Sequence, residues 1–441
     1  MNEVFWENLI TYGIAAIIAV TILFFYLKKQ KDITRVTKKK IKKAKEFGFH
    51  EPVSLHPVIN YDVCIGSGAC VKACPEQDVL GMVNGRAKTI NASRCVGHGA
   101  CFHACPLQAI TLVIGTEKRG VELPHVSQDY ETNVPGIFIA GELGGMGLIK
   151  NAVEQGKLAI ENISKKLKNR SDAQYDVVIV GAGPAGIAAT LQCVKLNLKY
   201  LTLEQDTLGG TVYSFPRKKI VMTSPMDLPL YGKVKFTETT KDELIGLWKS
   251  LIDKYNITIN ELEKVQNISE KNNAFEIRTN KNNYTAKSVL LAIGRRGSPR
   301  KLGVPGEGKP KVFYRLLDPE VIQNEDVLVV GGGDSAVEAA MLLSEQNRVT
   351  ISYRNNSFKR IKPNNFDKIN ALINSGEIQV IYNSNVKEIK DNSVVLQIGA
   401  EYREIKNSLV YVFIGGELPT KFLEHVGVKI TKKFGEAVLK H

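Results

Sequence analysis

Apolar positions are unevenly spread along this chain. From Leu9 to Leu27 they run for 19 residues without a charge. At about 1.5 Å per residue, a helix of that length nearly spans a hydrocarbon core. Trp6 and Tyr26 stand where interfacial aromatics belong, and the N-terminus lacks the basic start and small-residue cleavage site of a signal peptide. Further on, apolar residues come in short blocks followed by glycine turns. Tyr175-Asp-Val-Val-Ile-Val180 runs into Gly181-Ala-Gly183-Pro184-Ala185-Gly186 and then Ile-Ala-Ala-Thr-Leu. This predicts a buried strand, a tight turn and a helix. Val327-Leu-Val-Val330 repeats the pattern, running into Gly331-Gly-Gly333-Asp334-Ser335-Ala336.

Such a turn suits a dinucleotide. Gly181 permits the bend, Gly183 lets backbone approach a pyrophosphate, and Gly186 lets the helix pack on the strand. The pyrophosphate would sit at the helix N-terminus, where free N–H groups favour an anion. The next strand, Tyr200-Leu-Thr-Leu203, ends in Glu204, placed to bind ribose hydroxyls. In the second fold, the strand Val349–Tyr353 ends in Arg354 instead of an acid, which suits a 2′-phosphate. NADPH is therefore favoured over NADH.

Charge and cysteine content add two more pieces. The net charge is +14, and ten Lys/Arg against two Asp/Glu lie between Lys28 and Glu46. A basic run directly after an apolar helix argues for a membrane surface and against a nucleic-acid partner. By the positive-inside rule it puts the N-terminus outside an inner membrane and the bulk of the chain in the cytoplasm. This stalk is too charged to pack in a core and is expected to lie on anionic lipid. Six of the seven cysteines fall between Cys64 and Cys105, which indicates metal ligation in a reducing compartment.

The cysteines form two similar units, Cys64-Ile-Gly-Ser67-Gly-Ala-Cys70-Val-Lys-Ala-Cys74-Pro75 and Cys95-Val-Gly-His98-Gly-Ala-Cys101-Phe-His-Ala-Cys105-Pro106. Over about Pro57 to Gly115 this resembles the bacterial dicluster ferredoxins, with Ser67 and His98 where the second cysteine of each run stands. The resemblance implies that Cys64, Cys70 and Cys105 hold one iron–sulfur cluster, and Cys95, Cys101 and Cys74 the other. Each cluster is then either a three-iron form or takes a fourth ligand from Ser67 or His98. The second unit is also similar to the single-cluster ferredoxins that feed P450 enzymes.

The segment Thr132-Asn-Val-Pro-Gly-Ile-Phe-Ile-Ala140-Gly141-Glu142-Leu resembles the passage that closes the FAD domain of thioredoxin reductase-like flavoproteins. In that family it lies near the C-terminus. Here it precedes the first nucleotide fold, and Tyr411-Val-Phe-Ile-Gly-Gly-Glu-Leu-Pro-Thr, which resembles the exit from the NADPH domain, runs to the chain end. A circular permutation is expected, with strands from 116–123 and the chain end still paired. The resemblance puts Gly141 and Glu142 at the ribityl chain of FAD, Gly209, Gly210 and Thr211 near the isoalloxazine, and Gly294 at the turn ending the first FAD segment. It also puts Arg354 and Lys359 on the 2′-phosphate of NADPH. The family's Cys-x-x-Cys is missing, since Lys311-Val-Phe-Tyr-Arg-Leu-Leu-Asp318 has no cysteine. In this the chain looks like the bacillithiol disulfide reductase type.

The expected fold class is α/β: two doubly wound dinucleotide-binding domains, a small α+β ferredoxin-like domain and one N-terminal transmembrane helix. The expected divisions are an outer N-terminus at 1–8, the membrane helix at 9–27, the stalk at 28–50 and the ferredoxin-like domain at 51–115. The FAD domain takes 116–305 with 417–441, of which 116–170 is the closing segment, and the NAD(P)H domain takes 306–416. The expected activity passes electrons from NAD(P)H through FAD to two iron–sulfur clusters, and on to a quinone, a cytochrome or a small carrier, or the reverse. No side chain is marked as an acid, base or nucleophile. A homodimer is expected. The other reading is a redox sensor or assembly subunit that keeps the cofactors.

Overall fold

The structure is a computed structural model. It describes residues 2–52, 55–76, 78–95, 97, 99–116, 120–145, 147–167, 173–215, 220–222, 225–236, 238–295, 298–358 and 361–439. Two compact units result, Met1–Thr116 with Gly435–His441, and Glu117–Phe434.

The first unit begins with one helix, α1 (Asn2–Glu46), whose early part is long and apolar enough to cross a membrane. Large apolar side chains from Phe5 to Leu27 are all exposed. The basic part corrects the expectation of a stalk that cannot pack. Ile33, Thr34, Thr37, Ile41 and Ala44 recur every three or four residues and form an inward stripe, with Thr37 and Ala44 buried. The lysines occupy the other faces, and Lys40 reaches Asp78 at 2.6 Å. Charge therefore excludes only part of the helix surface from packing.

The remainder of this unit shows the doubled pattern of the cysteine runs. β1 (His56–Ile59), α2 (Ala69–Ala73) and β2 (Leu80–Val83) are followed by β3 (Arg86–Thr89), α3 (Ala100–His103) and β4 (Ile110–Ile114). β1 pairs antiparallel with β4, His56 opposite Val113, and β2 pairs with β3. Each short helix starts from a left-handed glycine, Gly68 or Gly99, and is followed by a Cys-Pro. The strand Glu436–Leu439 pairs with the free edge of β4, Glu436 opposite Ile114. The expected FAD domain included these last residues. Their backbone instead extends the sheet of the cysteine unit.

The second unit opens with β5 (Val121–Pro124), which pairs antiparallel with the strand Ile430–Lys433. β6 (Ile137–Ile139), α4 (Ile149–Lys166), β7 (Tyr175–Val180), α5 (Pro184–Lys195) and β8 (Tyr200–Leu203) follow. The first parallel sheet runs Ile259–Asn260, β8, β7, Asn283–Leu291, with β6 parallel to the far half of Asn283–Leu291. The near half of that long strand turns into an antiparallel meander with Ala274–Thr279 and Val265–Lys271. Val177, Val178 and Ile179 are fully buried, as in parallel strands covered on both faces. A second parallel sheet runs Val312–Phe313, Leu409–Val412, Asp326–Val330, Arg348–Ser352, Ile378–Ile381. A three-stranded antiparallel sheet, Ser384–Ile389, Ser393–Ile398 and Glu401–Lys406, accompanies it. The unit is thus a pair of α/β folds, each a parallel sheet with a glycine turn leading from a strand into a helix.

Candidate functional site

The six clustered thiols fall into two groups. Cys64, Cys70 and Cys105 line one cavity together with Ser67, Gly66 and Leu107. Burial pushes the Cys70 thiol up, and its neighbours Cys105 and Cys64 push the same way. Burial likewise lifts Cys95 to about 11 and Cys101 to about 12, with Cys74 close enough to raise both. Cys70 also adds to the shift of Cys101, so the two groups adjoin. Backbone amides are directed at sulfur in both: the Ala109 N–H donates to Cys105 Sγ at 3.2 Å, and the amides of Val71, Gly97 and Phe102 favour the thiolates of Cys70, Cys95 and Cys101. Among the described residues no three His, Cys, Asp or Glu close on a point as one metal ion requires. Thiols ringing a void fit a multi-iron cluster better than zinc. Ser67 lines its cavity; His98 lies outside the described residues.

The loop geometry explains the glycines. A Cβ on Gly66 would overlap the carbonyl of Gly85, at the β2–β3 turn. No other residue lets the Cys64 loop sit so close.

The first nucleotide cradle gathers residues from four places. Gly183 caps α5 with open space beside it, while a Cβ on Gly186 would overlap the Gly181 carbonyl. The Gly209–Gly210 turn lies against Gly183, and the Gly209 N–H donates to the Ala182 carbonyl at 2.9 Å. Thr211 is exposed beside it. Ala292, ahead of Gly294, donates to the Val180 carbonyl at 2.8 Å and so holds its turn beside Gly181. Gly141 adopts φ +87, which a side chain would strain, and its N–H donates to Gln155 Oε1 at 2.8 Å. Gly156 on α4 abuts the carbonyl of Ala185 on α5. The half-buried Glu142 follows in the turn Glu142–Gly144.

Glu204 is buried at the end of β8, and burial holds its pKa above the ordinary carboxylate value. The Ala182 N–H donates to Oε2 at 2.7 Å and the Asp206 N–H to Oε1 at 2.9 Å, which pulls the other way. A carboxylate accepts about four hydrogen bonds, so capacity remains for ribose hydroxyls. The first-turn N–H groups of Ala185 and Gly186, an open glycine and this acid fit the pyrophosphate and ribose of FAD.

In the second cradle Gly331 and Gly333 flank the start of the helix Asp334–Ser344, with Ala336 buried beneath and Ser335 exposed. Sequence reasoning passed over Gly332 and Tyr353. The Tyr353 ring covers Gly332 and stacks on Phe358 at 5.2 Å. A third consecutive glycine was the available signal. Asp334 Oδ1 accepts from the Lys362 N–H and from Asn365 Nδ2, both at 2.8 Å, so it secures the helix Pro363–Asn374. Arg354 is exposed just past the strand Arg348–Ser352; Lys359 lies outside the described residues.

These features define a two-nucleotide flavin oxidoreductase joined to a 4Fe-4S unit. The chain belongs to the pyridine nucleotide-disulphide oxidoreductase family, whose model matches residues 178–440, and a 4Fe-4S dicluster domain matches residues 56–106. Bacilliredoxin reductase Bdr of Bacillus subtilis is 31% identical over 59% of this chain and 83% of its own. A ferredoxin–NADP reductase of Ignicoccus hospitalis is 30% identical over 48% of this chain and 66% of its own. Among solved structures, bacillithiol disulfide reductase Bdr (YpdA) from Staphylococcus aureus matches with a TM-score of 0.51, at 25% identity, over 59% of this chain and 85% of that one.

Proposed function

We propose that the protein is a membrane-anchored NAD(P)H oxidoreductase that moves electrons between a nicotinamide nucleotide and a redox carrier by way of FAD and two iron–sulfur clusters. The observation that carries this reading is the pairing, in one chain, of two nucleotide cradles with two triads of thiols. FAD, when bound, exchanges two electrons with the nicotinamide as hydride and single electrons with the clusters. The chain's residues bind and orient. Glu204 and the α5 N-terminus hold the FAD ribose and pyrophosphate, and Glu142 faces the ribityl chain. Arg354 selects NADPH by meeting its 2′-phosphate. Cys64, Cys70 and Cys105 hold one cluster and Cys74, Cys95 and Cys101 the other, with Ser67 and His98 beside the fourth corners.

Several relatives are reductases of thioredoxin or bacilliredoxin by name. Disulfide exchange by a dithiol does not fit this chain. The one cysteine of its nucleotide unit, Cys193, is fully buried on α5 and its thiol is pushed far up by burial. A carrier of the kind named for the Ignicoccus relative, ferredoxin, or a membrane carrier fits the thiol triads better.

The order of segments supports a circular permutation. β6 precedes the first glycine loop in sequence yet lies parallel to Asn283–Leu291, on the side of that strand opposite β7. α1 supports the anchor by its length and its exposed apolar surface. Anaerobic addition of NADPH to the loaded protein, followed by electron paramagnetic resonance, tests the whole reading. Reduced clusters are the expected result. Bleaching of the flavin with clusters left oxidised refutes it.

A further inference from the structure

The cysteine unit is attached to α1 at successive heights. Thr34 Oγ1 accepts the Asn84 N–H at 3.0 Å. Thr37 packs on Gly81 of β2, and Lys40 pairs with Asp78 at 2.6 Å. Past the helix end, the Phe49 carbonyl accepts the Ser93 N–H at 3.0 Å. Along the helix axis, Thr34 stands about 10 Å beyond Leu27, and Glu46 about 28 Å beyond it.

This ladder orders the two thiol groups. Gly66, in the Cys64 loop, rests on Gly85, the neighbour of Asn84. Ser93, just before Cys95, is tied to Phe49. The Cys64 group therefore lies toward the apolar run of α1, and the Cys95 group away from it.

Among the described residues, the near group carries an apolar rim. Ile65 is 68% exposed and Leu107 45%, and both line the cavity of Cys64, Cys70 and Cys105. Val63 is 39% exposed next to them. In the repeat, Arg94 stands where Val63 does and Glu76 where Leu107 does, while Val96, the counterpart of Ile65, lies outside the described residues. Two of the three rim positions thus differ in chemistry between the repeats. Between Leu27 and Thr34 the helix carries Lys28, Lys29 and Lys31, suited to anionic headgroups.

The geometry points to a lipid surface as the occupant of this rim: Val63, Ile65 and Leu107 seat in the interfacial layer of the bilayer that α1 enters, with the Cys64 site at membrane level and the Cys95 site inward. This rests on the reading that α1 crosses a membrane. Apolar faces of interfacial elements bury about 5–10 Å into the headgroup boundary, which matches the height of the Asn84–Gly85 turn. Of the two thiol groups, the Cys64 site is then the one that meets a carrier dissolved in, or embedded in, the membrane.

The test uses the full chain in vesicles of phosphatidylcholine and phosphatidylglycerol carrying brominated acyl chains. Trp6 reports on the anchor, and Trp248, fully buried, is a silent background. Ile65→Trp adds a reporter at the rim, and Glu51→Trp adds one at the far end of the unit. Ile65→Trp is expected to shift its emission to the blue and to raise the quenched intensity about twofold over that of the unaltered chain, with Glu51→Trp adding only unquenched emission. Quenched Trp6 with water-like, unquenched emission from Ile65→Trp overturns the rim and leaves the anchor standing, assigning the rim to a soluble protein or a second copy. Equal quenching at 51 and 65 overturns the ordering of the two sites. Unquenched Trp6 in a chain that does not float with vesicles refutes the anchor itself, and the rim with it.

Discussion

Thr431 lies opposite Leu123 in an antiparallel ladder, and its Oγ1 donates to the Leu123 carbonyl at 3.4 Å, although 308 positions separate the two. A strand from one end of the nucleotide unit and a strand from the other thus behave as consecutive elements. If the chain is a circular permutation, a polypeptide that runs from Ala173 to Phe434 and continues directly into 120–167 should fold and bind FAD. Absorbance of the purified product decides this. A colourless, aggregated product contradicts the permutation.

Arg354→Glu places a like charge against a 2′-phosphate. The expected outcome is a loss of kcat/KM for NADPH of about one to two orders of magnitude, with NADH changed far less. Steady-state kinetics with both nucleotides and ferricyanide as acceptor measures it. Equal losses remove Arg354 from the phosphate site.

Ser67→Cys restores a fourth thiolate beside Cys64, Cys70 and Cys105. The iron content should rise by one per chain, and a three-iron resonance of the oxidised protein should disappear. An unaltered iron count and spectrum would mean that the serine site already holds a complete cluster.

Glu263, whose N–H donates to the Glu204 carbonyl at 2.8 Å, provides a pH test. Burial pulls its pKa up, but bonds from Thr279, Tyr284, Asn260 and Asn282 outweigh this and leave it below the ordinary value of 4.5. A depressed carboxylate stabilises the fold above its unfolded pKa and loses that contribution as pH falls through its folded pKa. Glu263→Gln should cost about 1–3 kcal/mol at pH near 7 and less near pH 3, read from urea unfolding at each pH. A pH-independent difference would exclude the ionised form as the stabilising species.

Much of the site was legible because its chemistry constrains spacing. Gly181, Gly183 and Gly186 are set by one strand–turn–helix geometry, and Glu204 by the length of α5 plus one strand. The proline after Cys74 and after Cys105 marks where each short helix has given way, so that the last cysteine of each run turns toward the other run. The packing stripe of α1 was hidden for a physical reason. Thr37 and Ala44 are small and only weakly apolar, and lysines surround them. Gln155, whose amide oxygen accepts the Gly141 N–H, could be placed on the helix of the closing segment, but its bond could not be read from the sequence. Its role depends on α4 packing against α5, a contact between distant parts of the chain.

The pairing of Glu436–Leu439 with β4 means that the nucleotide unit is inserted inside the cysteine unit. A ribosome completes β4 before the nucleotide unit and supplies its edge partner only after it. At about 5–20 residues per second, that edge waits roughly 15–60 s for the chain between them to be made. For that interval the cysteine loops are already synthesised while their sheet lacks its border strand, a template for wrong pairing. Iron loading during this interval would occur on an open sheet, and later loading on a closed one. The strand Glu436–Leu439, remote in sequence from the clustered cysteines, therefore closes the sheet that carries them, and a substitution in it would act on the cysteine unit first.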